Sequence, residues 1–479
     1  MSALNPVAAV STEKLWFWGR TALLSALVLG VMLTLAVAAL GQVEMVWTLP
    51  LLIIVVAGIL WLFRRPAQNL LVVIIGFVIV ANNEAGFQVR EIVYALYLYT
   101  VLALWYANRL LVTKETFLQK SSDQALWLFL ILLPFTLFLT VLFNGSLVGA
   151  VSELFSLSLL ALYFPLKETA ARYRWAPRAL VITVISVGLL VSMRNLYDYW
   201  LMLGRVTQTW QVETGRVSTN DNLLMVSSLF SLTVLVYAKN KATFFASALS
   251  FFLCFGGLIL TQSRGYWMAF FLGAAALFFL SDRRHRTYML LWSSIGVVVM
   301  ITVGYIVAGP FMNILLEGLV TRLLSIGSAA SADLSLINRF REAATVVEHI
   351  KVNPVLGYGM GVSYYFYDIA HQLTDYDALV HNGYVGLWYK FGLWGLGLML
   401  FFWGNTLVQG LRAFLIPTSA YWTRLCGLAA SIRLIGFVLS TLTSNPFFLK
   451  DSLFIFSVVA GLAGGAYLRS QRELESVRT

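Results

Sequence analysis

The chain has 479 residues, of which 59% are hydrophobic, 14% aromatic and only 11% charged, and its formal net charge is +11. That composition lies far outside the range of soluble domains. Apolar runs of about 18–22 residues, each able to cross roughly 30 Å of hydrocarbon as a helix, recur along nearly the whole length. A β-barrel is excluded as well, because continuous runs such as LLIIVVAGILWLF (51–63) and LLVVIIGFVIV (70–80) do not alternate. The expected fold is all-α: a polytopic integral membrane bundle of about 12–14 transmembrane helices with one long periplasmic loop containing short amphipathic helices.

In chain order, spans are expected at 20–40, 46–63, 68–82, 92–112, 125–143, 147–165, 179–203, 221–238, 243–260, 265–281, 289–309, 385–408, 425–443 and 451–468. The first apolar run is too long for the core of a cleavable signal and is read as the first span. Alternate loops carry the basic residues: Arg64 and Arg65; Lys114 and Lys120; Lys167, Arg172, Arg174 and Arg178; Lys239 and Lys241; Arg283, Arg284 and Arg286; then Arg469, Arg472 and Arg478 in the tail. The positive-inside rule therefore places both termini in the cytoplasm. The same bias accounts for the net charge, so no nucleic-acid partner is expected. Cys254 and Cys426 fall inside spans and say nothing of redox compartment.

Three regions follow: a transmembrane bundle of about eleven spans over 1–309, a long periplasmic loop over 310–384, and C-terminal spans with a short tail over 385–479. A loop of that length is normally functional. Within it, 311–327 and 338–352 place apolar residues at three- and four-residue spacing, predicting amphipathic helices. Phe340, Ala343, Val347 and Ile350 form the expected stripe of the second, which starts with Arg339, Arg341 and Glu342 and stops at Asn353-Pro354. GYGMG (357–361) is read as a flexible turn. The aromatic stretch SYYFYDIAHQLTDYD (363–377) either anchors the loop at the interface or stacks on sugars, with anchoring favoured.

Basic residues on the outer side break the charge rule and are candidates for work. Arg194, Arg216, Arg264 and Arg339 each have an ordinary reading, as a snorkelling side chain or the partner of a carboxylate such as Asp198, Glu213 or Asp221. Converging on one face, they would bind a di-anionic head group, because the guanidinium fork pairs phosphate oxygens bidentately. A lipid diphosphate is the obvious ligand for such a protein. His381 in ALVHNGYVGLWYKFGLWGLG (378–397) is either a packing or capping residue at a helix start or a general base, since an ordinary imidazole accepts a proton near neutral pH. His371 is a weaker candidate; His349 and His285 are read as surface residues. No histidine pair has metal-ligand spacing, and Asp375-Tyr376-Asp377 is a weak match, so a metal-independent reaction without cofactor is expected.

An SRG turn between two spans, an arginine opening a helix that runs to NPVLGYGMG, and HNGYVGLWYKFGLWGL entering the next span together resemble the bacterial O-antigen ligase and Wzy-type polysaccharide polymerase superfamily. The matching positions are Arg339, Pro354, Gly357, Gly359, His381, Asn382, Gly392 and Gly395, within motifs that cover roughly 210–400. Arg216 with STNDNLL resembles the family's Arg and Asn before a span, but Asp221 stands where a proline is usual, so Arg216 and Asn222 are the looser matches. The resemblance implies inverting glycosyl transfer at the periplasmic face from an undecaprenyl-diphosphate-linked glycan donor. His381 would activate the acceptor; Arg216, Arg264, Arg339 and Arg194 would hold the diphosphate; Asn382, Asn222 and Arg341 would support them. A ligase would use lipid A-core as acceptor, a polymerase a second lipid-linked glycan, with membrane lipids around both. A flippase is a more distant alternative, disfavoured by the lack of an internal repeat and by charges lying near span ends, Lys390 and Arg433 excepted. A pH-sensing scaffold has least support.

Overall fold

The computed structural model describes residues 66–80, 89–203, 220–309, 334–369 and 372–478, with isolated positions between 312 and 320. The chain forms two compact units, 1–117 and 118–479. Among the described residues nine helices are long and apolar enough to cross a membrane, and three shorter apolar helices accompany them. Every expected span from 68–82 onward is one of these; the spans at 20–40 and 46–63 lie outside the described residues.

In the first unit α1 (Pro66–Val80) pairs with α2 (Val89–Ala107). Tyr94 and Tyr97 of α2 donate hydroxyl hydrogen bonds of 2.6 and 3.0 Å to the Val73 carbonyl and Asn69 Oδ1. Such bonds satisfy polar atoms where no water would do so.

The second unit contains α3 (Ser121–Leu142), α4 (Leu147–Ser158), α5 (Tyr163–Arg172), α6 (Ala176–Leu203), α7 (Asp221–Val236), α8 (Lys241–Leu260), α9 (Arg264–Leu280) and α10 (Arg283–Ala308). After α11 (Leu334–Val352) come strands β1 (Tyr364–Asp368) and β2 (Leu373–Asp377), then α12 (Gly383–Leu415), α13 (Tyr421–Thr443) and α14 (Lys450–Arg478). α13 packs against α9, α12 and α14 and is buried along most of its length. Small residues permit the closest approaches. Gly461 and Gly465 of α14 face Leu166 and Ala170 of α5, where an added Cβ would lie 2.8 and 2.5 Å from the side chains. That packing carries the expected 147–165 span on to Arg172 and buries Lys167 in an ion pair with Asp123. Breaking such a buried pair costs about 3–5 kcal/mol.

The long loop differs from its expected form. The helix over 338–352 begins at Leu334, whereas the helix expected over 311–327 lies almost wholly outside the described residues. The aromatic stretch is an antiparallel hairpin with Tyr364 opposite Asp377 and Asp368 opposite Leu373. Its first strand alternates, with Tyr364 and Phe366 buried and Tyr365 and Tyr367 exposed. Period-two burial is a strand signature, which a reading for interfacial aromatics passes over. Asp375 and Asp377 bond backbone N–H groups at Tyr376 and Leu379.

Candidate active site around His381

The hairpin, α11 and the start of α12 share one apolar cluster of Val346, Ile350, Val362, Tyr364, Phe366, Val380 and Tyr389. On α11 the buried stripe is Glu342, Ala343, Val346 and Ile350, while Phe340 is exposed. The expected stripe through Phe340 is therefore displaced around the helix. Packing against the hairpin selects a face that includes a carboxylate, because that carboxylate finds donors there.

Glu342 is only 1% exposed and receives three of them. Its Oε2 lies 2.7 Å from His381 Nδ1, its Oε1 accepts the His381 backbone N–H at 3.2 Å, and Oε1 also accepts the Tyr364 hydroxyl. Burial, and next the charge of Glu342, push the Tyr364 phenol far above its ordinary value, so it remains a proton donor. With Glu342 Oε2 as the acceptor facing Nδ1, the ring proton sits on Nδ1 and the Nε2 lone pair is available. Nε2 has no hydrogen-bond partner among the described residues, and the His381 side chain is 38% exposed. The arrangement is that of a general base with an orienting carboxylate. The sequence reading places Glu342 only among the residues that start this helix. The available signal was its four-residue spacing to Val346 and Ile350.

Asn382, expected to orient the imidazole or a sugar hydroxyl, caps α12 instead. Its Oδ1 accepts the N–H groups of Tyr384 and Val385, both at 3.1 Å, and its Nδ2 donates to the Leu442 carbonyl at 3.2 Å. An asparagine at this position satisfies otherwise orphaned helix donors. The adjacent Gly383 N–H donates to the Ser444 carbonyl at 3.1 Å, and Asn445 Nδ2 donates to Val380 at 2.6 Å. The segment bearing His381 is thus sewn onto the C-terminal end of α13.

Two arginines meet that same end. Arg339 Nη1 donates to the Thr443 carbonyl at 2.5 Å, a cation at the negative pole of a helix. Arg264 is the first residue of α9, and a Cβ on its neighbour Gly265 would come within 2.7 Å of Thr443 Oγ1. Arg194 is exposed on α6, and Arg341 is exposed on α11. Asn222 is buried at the start of α7, where it accepts from Arg433 of α13. Arg433 is itself 1% exposed, a cation held inside the bundle. Arg216 and His371 lie outside the described residues.

The glycine motif is a latch and not a flexible turn. Gly357, Gly359, Gly361 and Gly392 all have positive φ, a conformation that side chains disfavour. At Gly392 α12 is broken, and the segment 354–359 fills the break: Tyr358 N–H and Gly359 N–H donate to the Tyr389 and Lys390 carbonyls at 2.9 Å, and Leu393 N–H donates to Pro354 at 2.9 Å. Buried Lys390 pairs with Glu153 of α4, whose other oxygen accepts the Gly361 N–H at 3.2 Å. This latch fixes the C-terminal end of α11, and hence Glu342, relative to the His381 end of α12. A Cβ at Gly359 would sit 2.6 Å from the Thr140 amide nitrogen, whereas one at Gly397 meets open space. Gly359→Ala should destabilise the purified protein by about 2 kcal/mol or more, from combined strain and overpacking, while Gly397→Ala leaves the melting temperature nearly unchanged. Equal melting temperatures for the two variants would remove the latch.

Residues 249–400 match the family model described as O-antigen ligase. The matched stretch, about a third of the chain, is similar to that family. It contains Arg264, Arg339, Glu342, His381, Asn382 and the whole glycine latch, while α13, to which they dock, follows the match. The protein is accordingly a multi-pass membrane protein with function of the O-antigen ligase and polymerase type. No curated protein matches the chain in sequence. Among the described residues of the domain and its neighbours, no three His, Cys, Asp or Glu side chains are grouped to hold a metal ion.

Proposed function

We propose that the protein is an inverting, metal-independent glycosyltransferase of the O-antigen ligase type, acting at the periplasmic face of the inner membrane. It transfers a glycan from undecaprenyl diphosphate to a hydroxyl of lipid A-core. The observation that carries this reading is the buried Glu342 holding His381 beside the end of α13 that Arg264 and Arg339 also reach.

In the proposed reaction His381 Nε2 takes the proton of the acceptor hydroxyl as its oxygen attacks the anomeric carbon. The new glycosidic bond forms on the face opposite the diphosphate. The bond from the anomeric carbon to the phosphate oxygen breaks, and the diphosphate leaves with the electron pair. Arg264 and Arg339, with Arg216, offset the charge gathering on the leaving group.

The test is transfer by the purified protein in nanodiscs, with chelator present, from undecaprenyl-diphosphate glycan. One reaction receives lipid A-core and the other donor alone. Product on lipid A-core is expected. A ladder from donor alone would assign a polymerase, and labelled donor crossing the bilayer without any new glycosidic bond would assign a flippase.

A further inference from the structure

A cavity of about 710 Å³ opens at the end of the bundle opposite His381, among the C-terminal ends of α7 and α12 and the N-terminal ends of α8, α10 and α13. Three cations stand on its wall, each held over an aromatic ring. Lys239 Nζ lies 4.5 Å from the centroid of Tyr421, and the Arg284 and Arg424 guanidinium carbons lie 5.5 and 5.4 Å from those of Tyr288 and Phe414. Ring contacts of this kind restrain long cationic side chains without neutralising them. The carboxylate among the lining residues, Asp282, already accepts from the His285 backbone N–H at 2.9 Å and lies 2.7 Å from His285 Nδ1. The wall therefore retains an excess of positive charge.

Beneath the cations the space is apolar. A crevice of about 10 Å³, room for no more than a water molecule, is lined by Leu232, Phe251 and Met289 and shares Leu235, Val236, Tyr288 and Trp292 with the cavity above. On α10, next to it, Leu290 and Leu291 are exposed, as expected of a helix facing hydrocarbon. A cationic rim beside an apolar helix surface that faces hydrocarbon has the polarity profile of one half of a phospholipid. A soluble phosphate would use the rim and gain nothing from that surface.

We infer that this cavity binds an anionic phospholipid, its phosphate between Lys239, Arg284 and Arg424 and its acyl chains along the exposed apolar surface of α10 at Leu290 and Leu291. The site lies at the end of the bundle where the alternating loops concentrate lysine and arginine, the end that the positive-inside rule turns toward the anionic leaflet. It is separate from the His381 site.

The test is lipid retention by the delipidated full chain in detergent, read by native mass spectrometry and by melting temperature. Three additions are compared: phosphatidylglycerol, phosphatidylcholine of the same chain length, and inorganic phosphate. Wild type should retain phosphatidylglycerol at least tenfold over phosphatidylcholine and melt higher with it. The double variant Lys239→Gln, Arg284→Gln changes two exposed side chains and should fold, yet should reduce phosphatidylglycerol retention to the phosphatidylcholine level. Equal retention of the two lipids by wild type, unaltered retention in the double variant, or displacement of phosphatidylglycerol by phosphate at matched concentration would each overturn the assignment.

Discussion

Replacing His381 by alanine should slow glycan transfer about 10²–10⁴-fold, the range that a positioned general base contributes, while the protein still folds and binds its donor. Folding should survive because the imidazole is partly exposed and its main described contact is with Glu342. Without it, Glu342 keeps the Tyr364 hydroxyl and the backbone N–H of residue 381. The lost hydrogen bond costs about 1–3 kcal/mol of stability, small beside the catalytic loss. Single-turnover transfer at saturating donor, measured beside a melting curve, separates the two effects. A rate within threefold of wild type would show that His381 is no base and serves only in packing at the start of α12.

Much of this fold was legible because a membrane span is a composition signal. About twenty apolar residues have few alternatives in hydrocarbon, and the described helices follow that rule to within a few residues, apart from helix ends that extend into the loops. The loop was harder, since its structure depends on pairing that no local pattern announces. Tyr364 and Phe366 alternate with exposed Tyr365 and Tyr367, but over five aromatic-rich residues that alternation is indistinguishable from interfacial anchoring. GYGMG looked flexible because glycine permits every conformation; here it is selected because neighbouring backbone leaves no room for a Cβ. Asn382 was assigned to chemistry, although an asparagine directly before an apolar helical run is also a start signal. Arg264, Arg339 and His381 lie far apart in sequence. What gathers them is the C-terminal end of α13, which carries no motif of its own and lies beyond the matched domain.

Glu342 is where the site depends most on tertiary structure, and Glu342→Gln should reduce turnover about 10- to 10³-fold, as expected when an orienting partner is replaced by a neutral isostere. The amide keeps the volume but offers one acceptor oxygen where the carboxylate has two. His381 Nδ1–H, the His381 backbone N–H and the Tyr364 hydroxyl cannot all be satisfied. If the amide NH₂ turns toward Nδ1, the imidazole proton moves to Nε2, and the lone pair needed for the acceptor is lost. Tyr364 remains a donor competing for the one oxygen, because burial, and next Glu342, hold its phenol well above its ordinary value. KM for the donor should change little, since Glu342 acts through His381 and not on the diphosphate. A purely structural role predicts a lower melting temperature, with kcat and the donor KM disturbed together. Loss of turnover at an unchanged melting temperature and an intact KM would instead identify Glu342 as the positioning residue for the base.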